Sequence, residues 1–232
     1  MRAGRILGLL QVFFRWLYHQ GAWAYDGVAA LVSGGRWVYW VTQALDHIYG
    51  GQVLEIGFGP GHLLAAMARR GLRPVGIDLS FAMARRARRR VDRSVPLVQG
   101  RAQALPFRSG SFDTVVTTFP APFIREPATW REAARVLRPG GRFVVLWGAW
   151  PAGCAPWTWA LQILFRWATY PDVVHPRKQL HTLAQEAGLR LQEWSVWDGW
   201  WQLWGVLAVR DDGRSEEGAG ASDPTTSPAI RA

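Results

Sequence analysis

Val53-Leu54-Glu55-Ile56-Gly57-Phe58-Gly59-Pro60-Gly61-His62 decides the fold of this chain. An apolar run ends in glycines at alternate positions, and a helical pattern (Leu63, Leu64, Ala65, Met67, Ala68) begins at once. Glycine tolerates positive φ and lets a backbone approach a ligand closely. A helix that starts at such a turn points its free N-terminal amides at whatever occupies it. The segment therefore reads as a strand, a nucleotide-binding turn and a helix.

The chemistry of the turn narrows its ligand. A dinucleotide fingerprint is G-x-G-x-x-G, with the third glycine easing helix–strand packing over a pyrophosphate. Here His62 occupies the third-glycine position, and the extra glycine falls one residue earlier. A carboxylate, Glu55, also sits on the strand itself. It would repel a pyrophosphate and favour a cationic ligand. A second strand, Arg73-Pro74-Val75-Gly76-Ile77-Asp78, ends in an acid 23 residues after Glu55. That is the spacing of a ribose-binding carboxylate, which accepts both hydroxyl hydrogens.

Further segments follow in order: Gly76-Ile77-Asp78-Leu79-Ser80, Ala104-Leu105-Pro106-Phe107, Ser111-Phe112-Asp113-Thr114-Val115-Val116 and Arg135-Val136-Leu137-Arg138-Pro139-Gly140-Gly141-Arg142-Phe143-Val144-Val145. With the glycine turn they make five ordered motifs across roughly residues 50–147. In these the chain resembles class I S-adenosylmethionine-dependent methyltransferases, in particular the small-molecule type 11 group that includes quinone-biosynthesis enzymes. The resemblance implies a Rossmann-like, doubly wound α/β fold with a seven-stranded sheet, mostly parallel with one antiparallel strand. It also implies S-adenosyl-L-methionine as cofactor. Glu55 and the backbone of Gly57, Phe58, Gly59 and Gly61 would face its methionine part. Asp78 would hold the ribose, Leu79 would lie on the adenine, Ala102 and Gln103 would approach the adenine edge, and Phe119 would complete the pocket. Arg101 departs from the family, which often carries Asp there. An arginine cannot accept the adenine amine's hydrogen bond, so Gln103, a backbone carbonyl or water must do so.

Composition bounds the rest. A chain of 232 residues, 49% of them hydrophobic, suits one α/β domain with a short tail. The single cysteine, Cys154, excludes an internal disulfide framework and a cysteine-rich zinc site, so no metal is expected and a cytoplasmic location is the default. No signal-peptide pattern opens the chain, and the apolar stretches 6–14 and 155–165 meet an arginine before reaching the length of a bilayer span. A small-molecule substrate is expected, with peripheral membrane contact left open; the sequence is silent on oligomeric state.

The net charge is +10, and all but one of the 27 basic residues are arginines. In the run Arg85, Arg86, Arg88, Arg89, Arg90 and Arg93, Ala84, Ala87 and Val91 recur at helical spacing. One stripe thus packs inward and the arginines mostly face water, though an RNA-binding surface is the alternative. Residues 211–232 are rich in Gly, Ser, Pro and acids, lack apolar periodicity, carry net −3 and read as a disordered tail.

Residues 1–46 read as a helical cap, with Leu7, Leu10, Phe14 and Leu17 on one face and Val38, Val41 and Leu45 on another. Residues 47–210 form the methyltransferase-like domain. Its expected elements are strand 52–56, helix 61–70, strand 73–78, helix 80–92, strand 95–99, strand 112–119, helix 128–137, strand 142–148, helix 176–187 and strands 189–197 and 202–210, the last pair a hairpin about Asp198-Gly199. The stretch 149–174, with Trp150, Trp157, Trp159, Trp167 and Tyr170, reads as an aromatic insertion. It leaves the carboxyl end of a strand, where such folds bind ligands, so it and the N-terminal helices are expected to cover the acceptor.

Methyl transfer asks mainly for positioning and water exclusion. Aromatic faces at Tyr18, Trp23 and Tyr25 could steady a sulfonium by cation–π attraction, and Tyr25-Asp26 would sit on the closing N-terminal helix. Were a base needed, His19 is the candidate, with Tyr25 the other catalytic candidate; His62 is expected to cap or pack. Thr117-Thr118-Phe119-Pro120 is not the Asn/Asp-Pro-Pro-Tyr/Phe of base-amine methyltransferases, and no cysteine lies nearby for C5 attack on pyrimidines. A small, apolar or aromatic acceptor remains. The alternatives are an RNA methyltransferase, an NAD(P)-dependent oxidoreductase and a non-catalytic cofactor-binding module.

Overall fold

The computed structural model describes residues 22–152 and 176–212, apart from the side chains of residues 22–25, 28 and 32. Helices α1 (Ala22–Ser33) and α2 (Trp37–Thr42) and a 3-10 turn (Gln43–His47) lead into β1 (Gln52–Ile56). Then come α3 (His62–Arg69), β2 (Arg73–Asp78), α4 (Phe81–Ala87), β3 (Leu97–Gln99), β4 (Phe112–Thr118), a 3-10 turn (Pro122–Arg125) and α5 (Pro127–Val136). β5 (Leu137–Pro151), α6 (Arg177–Glu186), β6 (Leu189–Asp198) and β7 (Trp201–Arg210) complete the series.

The strands make one seven-stranded sheet in the order β3-β2-β1-β4-β5-β7-β6. The first five are parallel, and β7 runs against both β5 and β6, so a single strand is reversed, as expected. Helices cover both faces, which is why β1 and β4 are buried along most of their length, polar Glu55, Thr114 and Thr117 included. Val53, Val116 and Val144 meet Leu63, Leu64 and Met67 of α3 on one face. Leu54, Val115, Phe143 and Val145 meet Trp130 and Ala133 of α5 and Leu180 and Leu183 of α6 on the other.

The strand order reverses between β1, whose chain continues to β2, and β4 on its other side. The crevice at the carboxyl ends of strands flanking such a switch point is where open α/β sheets bind ligands. Asp113 fixes that junction from the far end: its Oδ2 accepts the amides of Gly51 (3.0 Å) and Gln52 (2.9 Å).

Some boundaries differ from expectation. Helix 80–92 stops at Ala87, after which the arginine-rich stretch turns. β5 begins earlier and runs on to Pro151, because Ala149, Trp150 and Pro151 pair with Leu203, Gln202 and Trp201 of β7. Those three residues of the expected insertion are therefore strand, and the remainder from residue 153 to 174 lies outside the described residues. Val41 and Leu45 are buried, whereas Val38 is exposed. Leu7, Leu10, Phe14, Leu17 and the tail beyond Asp212 also lie outside the described residues. No helix among the described residues is long and apolar enough to cross a membrane.

Candidate functional site

Three glycines shape the turn after β1, and all have positive φ: Gly57 at 72°, Gly59 at 50° and Gly61 at 81°. The Gly57 amide donates to the Ile77 carbonyl at 2.7 Å, tying the turn to β2. Gly61 is the left-handed N-cap of α3, and a Cβ there would lie 2.8 Å from Ala87 Cβ. Gly59 is different, since a Cβ there would meet nothing within 4 Å. Gly61 thus serves helix packing, and Gly59 lines open space.

Asp78 ends β2 and is buried. Its Oδ2 accepts the Gly59 amide at 2.9 Å, and its Oδ1 accepts the Ser80 amide at 2.8 Å. Ser80 caps α4 through Met83. Next to it, Leu79 is half-exposed on the same loop.

Glu55 lies on β1 opposite Gly76 of β2 and Val116 of β4. It is buried, and its Oε2 has no hydrogen-bond partner. Burial pushes its carboxyl well above the ordinary carboxylate range; the neighbouring Asp78 charge adds to this, and the Leu64 amide opposes it. Two acids side by side, one with an unmet acceptor, form an electronegative pocket under the turn that a cation would relieve.

Phe58 and Ala102 sit elsewhere than a cofactor-facing role requires of a side chain. Phe58 is buried with Leu64 and fills the space left by Gly76, where a Cβ would lie 2.6 Å from its ring. Ala102 belongs to the core on the opposite face of the sheet. Only their backbones can meet a ligand. Gln103 is half-buried and Arg101 is exposed, bridging Ala104 in a tight antiparallel turn.

Phe119 follows β4 with φ of 46°, the only positive φ outside glycine among the described residues. Such strain in a bulky residue persists where surroundings enforce it, commonly at ligand sites. Its ring packs on Trp37 of α2 at 4.4 Å between centroids and on Trp40 at 6.3 Å. Trp40 meets Trp201 edge-on at 4.9 Å, and Trp201 meets Trp200 at 4.6 Å. This aromatic wall stands at the carboxyl ends of β4 and β5. It is held by Asp198, which is buried in the β6–β7 hairpin, takes a two-pronged ion pair from Arg36 and accepts Trp40 Nε1 at 2.7 Å.

Reading the sequence missed Trp37, Trp40 and Trp201 as partners of Phe119, and it left Arg86 and Arg90 in water. In the structure both arginines reach Asp26 of α1, as does His62. The aromatic cluster Trp37-Val38-Tyr39-Trp40 is the one signal the sequence offers. His19 lies outside the described residues, and so does the side chain of Tyr25, whose backbone is in α1. No cluster able to hold a metal occurs among the described residues.

Comparison with known proteins agrees with this geometry. Residues 54–145 match the family model described as a methyltransferase domain. The chain is 37% identical over 128 residues to a demethylmenaquinone methyltransferase of Clavibacter sepedonicus, covering 53% of this chain and 52% of that one. It is 32% identical over 146 residues to the enzyme of the same name from Symbiobacterium thermophilum, covering 58% of each. The chain thus spans little more than half the length of these curated relatives. Among solved structures, the fold is similar to a Haemonchus contortus phosphoethanolamine N-methyltransferase 2 in complex with S-adenosyl-L-methionine (TM-score 0.56, 18% identity, 76% of this chain and 53% of that). It is also similar to geranyl diphosphate C-methyltransferase from Streptomyces coelicolor (TM-score 0.53, 19% identity, 73% and 76%). Residues 54–145 thus match a methyltransferase domain model, and the seven-stranded sheet with its one reversed strand is similar in fold to solved methyltransferases.

Proposed function

We propose that this protein transfers a methyl group from S-adenosyl-L-methionine to a small, apolar or aromatic acceptor. The observation that carries the cofactor assignment is the pairing of Glu55 Oε2, buried without a partner, with an open glycine turn clamped by Asp78. A dinucleotide would bring a pyrophosphate against these two acids, whereas an adenosyl sulfonium brings positive charge. Bound there, the cofactor would supply an electrophilic methyl carbon on a positively charged sulfur.

The chain's own residues would then act by position. Asp78 would accept the ribose hydroxyls, Leu79 would cover one adenine face and Gln103 would lie along its edge. Gly57, Gly59 and Gly61 would let the backbone close on the methionine part, with Glu55 beneath it. Phe119 and Trp37 would hold a flat apolar acceptor in line with the sulfur and keep water out, where orientation supplies most of the rate. The acceptor class rests on this aromatic wall and on the curated relatives named for demethylmenaquinone. A domain arrangement of cap, residues 47–210 and tail is part of the same proposal.

Calorimetry on the purified chain tests the cofactor: S-adenosylhomocysteine should bind and NADH should not. The reverse result would overturn the assignment. Incubation with methyl-labelled S-adenosylmethionine and an organic extract of the source cells should then label a lipophilic product; label confined to RNA would overturn the acceptor class.

A further inference from the structure

Asp26 gathers three side chains, one from α3, one from α4 and one from the turn that follows α4. On α1, its Oδ1 lies 3.1 Å from His62 Nε2, and its Oδ2 is 3.1 Å from a terminal nitrogen of Arg86 and 3.1 Å from one of Arg90. His62 is the first residue of α3 and directly follows the Gly61 cap. Arg90 also donates to the Pro60 carbonyl inside the glycine turn. One carboxylate therefore connects the N-terminal helix, the start of α3, the end of α4 and the backbone of the turn.

This arrangement has a mechanical and an electrostatic consequence. A carboxylate has about four acceptor sites, and three donors here fix its helix against α3, α4 and the turn that follows α4. Burial works to raise the Asp26 carboxyl, but His62, Arg86 and Arg90 outweigh it and hold it below the usual range. It is thus a full negative charge set against two guanidinium groups. Without it, Arg86 and Arg90 would stand uncompensated beside the turn. Their potential would oppose a cationic sulfonium and leave a neutral thioether almost unaffected.

We infer that Asp26 is a positioning residue that seats α1 on the glycine turn and, by offsetting one of the two positive charges of Arg86 and Arg90, favours a cationic cofactor at that turn. This inference rests on the methyltransferase reading given above. The test compares wild-type protein with Asp26→Asn, Asp26→Glu and the double variant Asp26→Asn/Arg86→Gln. Hydrogen exchange of residues 22–33 is followed without ligand, and calorimetry is run with S-adenosylmethionine and with S-adenosylhomocysteine.

Asp26→Asn should speed exchange in α1 about tenfold and shift the affinity ratio about threefold toward S-adenosylhomocysteine. Asp26→Glu should recover part of both. The double variant should restore the ratio without restoring the exchange protection, a separation that a purely structural role would not produce. Wild-type exchange in Asp26→Asn, or an unchanged ratio between the two nucleotides, overturns the inference. Failure of the wild-type chain to bind either nucleotide would instead remove the cofactor reading, and the ligand-free exchange data keep the two failures apart.

Discussion

The Gly59 amide donates to Asp78 Oδ2 at 2.9 Å, so the glycine turn after β1 and the acid that ends β2 form one unit. The same carboxylate accepts the Ser80 amide through Oδ1. An acid marked by its spacing as a ribose ligand also sets the shape of the surface on which the rest of the nucleotide would lie.

Asp78→Asn turns one acceptor oxygen into a donor and leaves a backbone amide facing it. The expected loss is about 2–3 kcal/mol of binding, or roughly 30- to 150-fold in S-adenosylhomocysteine affinity. Titration calorimetry reads it directly, and wild-type affinity in this variant would contradict the assigned role.

Glu55 has a raised carboxyl, chiefly from burial. A raised acid favours the protonated folded state, so its contribution to stability is full below its unfolded value and is lost as pH rises through the folded one. At neutral pH it therefore works against the cofactor-free fold. Glu55→Gln keeps an acceptor for the Leu64 amide and removes the charge. It should stabilise the free protein by about 1–3 kcal/mol, which raises Tm by roughly 2–4 °C per kcal/mol for a chain of this size. The same change should weaken S-adenosylmethionine. Wild-type affinity for that cation should climb with pH as Glu55 ionises, and the climb should vanish in Glu55→Gln. Thermal scans and calorimetry at several pH values check both halves.

Gly59→Ala and Gly61→Ala should separate binding from folding. Both positions have positive φ, which disfavours alanine by about 1–2 kcal/mol. Gly61→Ala adds a clash with the Ala87 methyl and backbone, so it should lose clearly more stability than Gly59→Ala. Gly59→Ala meets open space, keeps the fold and should lose cofactor affinity instead. Equal melting temperatures for the two variants would argue against this division.

Asp198→Asn removes the charge that orders Arg36 and Trp40 behind the Phe119–Trp37 wall. Half of Arg36 is exposed, so solvent screening reduces the effect from that of a fully buried pair to about 1–3 kcal/mol. Denaturant unfolding measures it. Acceptor KM should rise more than cofactor affinity falls if the wall holds the acceptor as proposed.

Much of the architecture is legible before any coordinates. β1 and β2 have the expected bounds because apolar runs closed by glycine or acid leave little freedom. Helix 80–92 was overextended because alanine and arginine both favour helix, and nothing local marks the turn at which Arg88 caps the Asp92 and Val95 carbonyls. The motif positions of Phe58 and Ala102 leave the direction of their side chains open. Which way a side chain points depends on what stands opposite, here Gly76 for Phe58.

The order of glycines and acids along the chain by itself marked β1, the turn, α3 and β2, and favoured a cation at the turn, since these follow from backbone freedom and short-range spacing. Only the tertiary structure decided that Asp26 meets His62, Arg86 and Arg90, and that Trp37 lies on Phe119. Those partners stand 36 to 82 residues apart. Contacts at such separations are set by helix packing over the sheet, which no local pattern encodes.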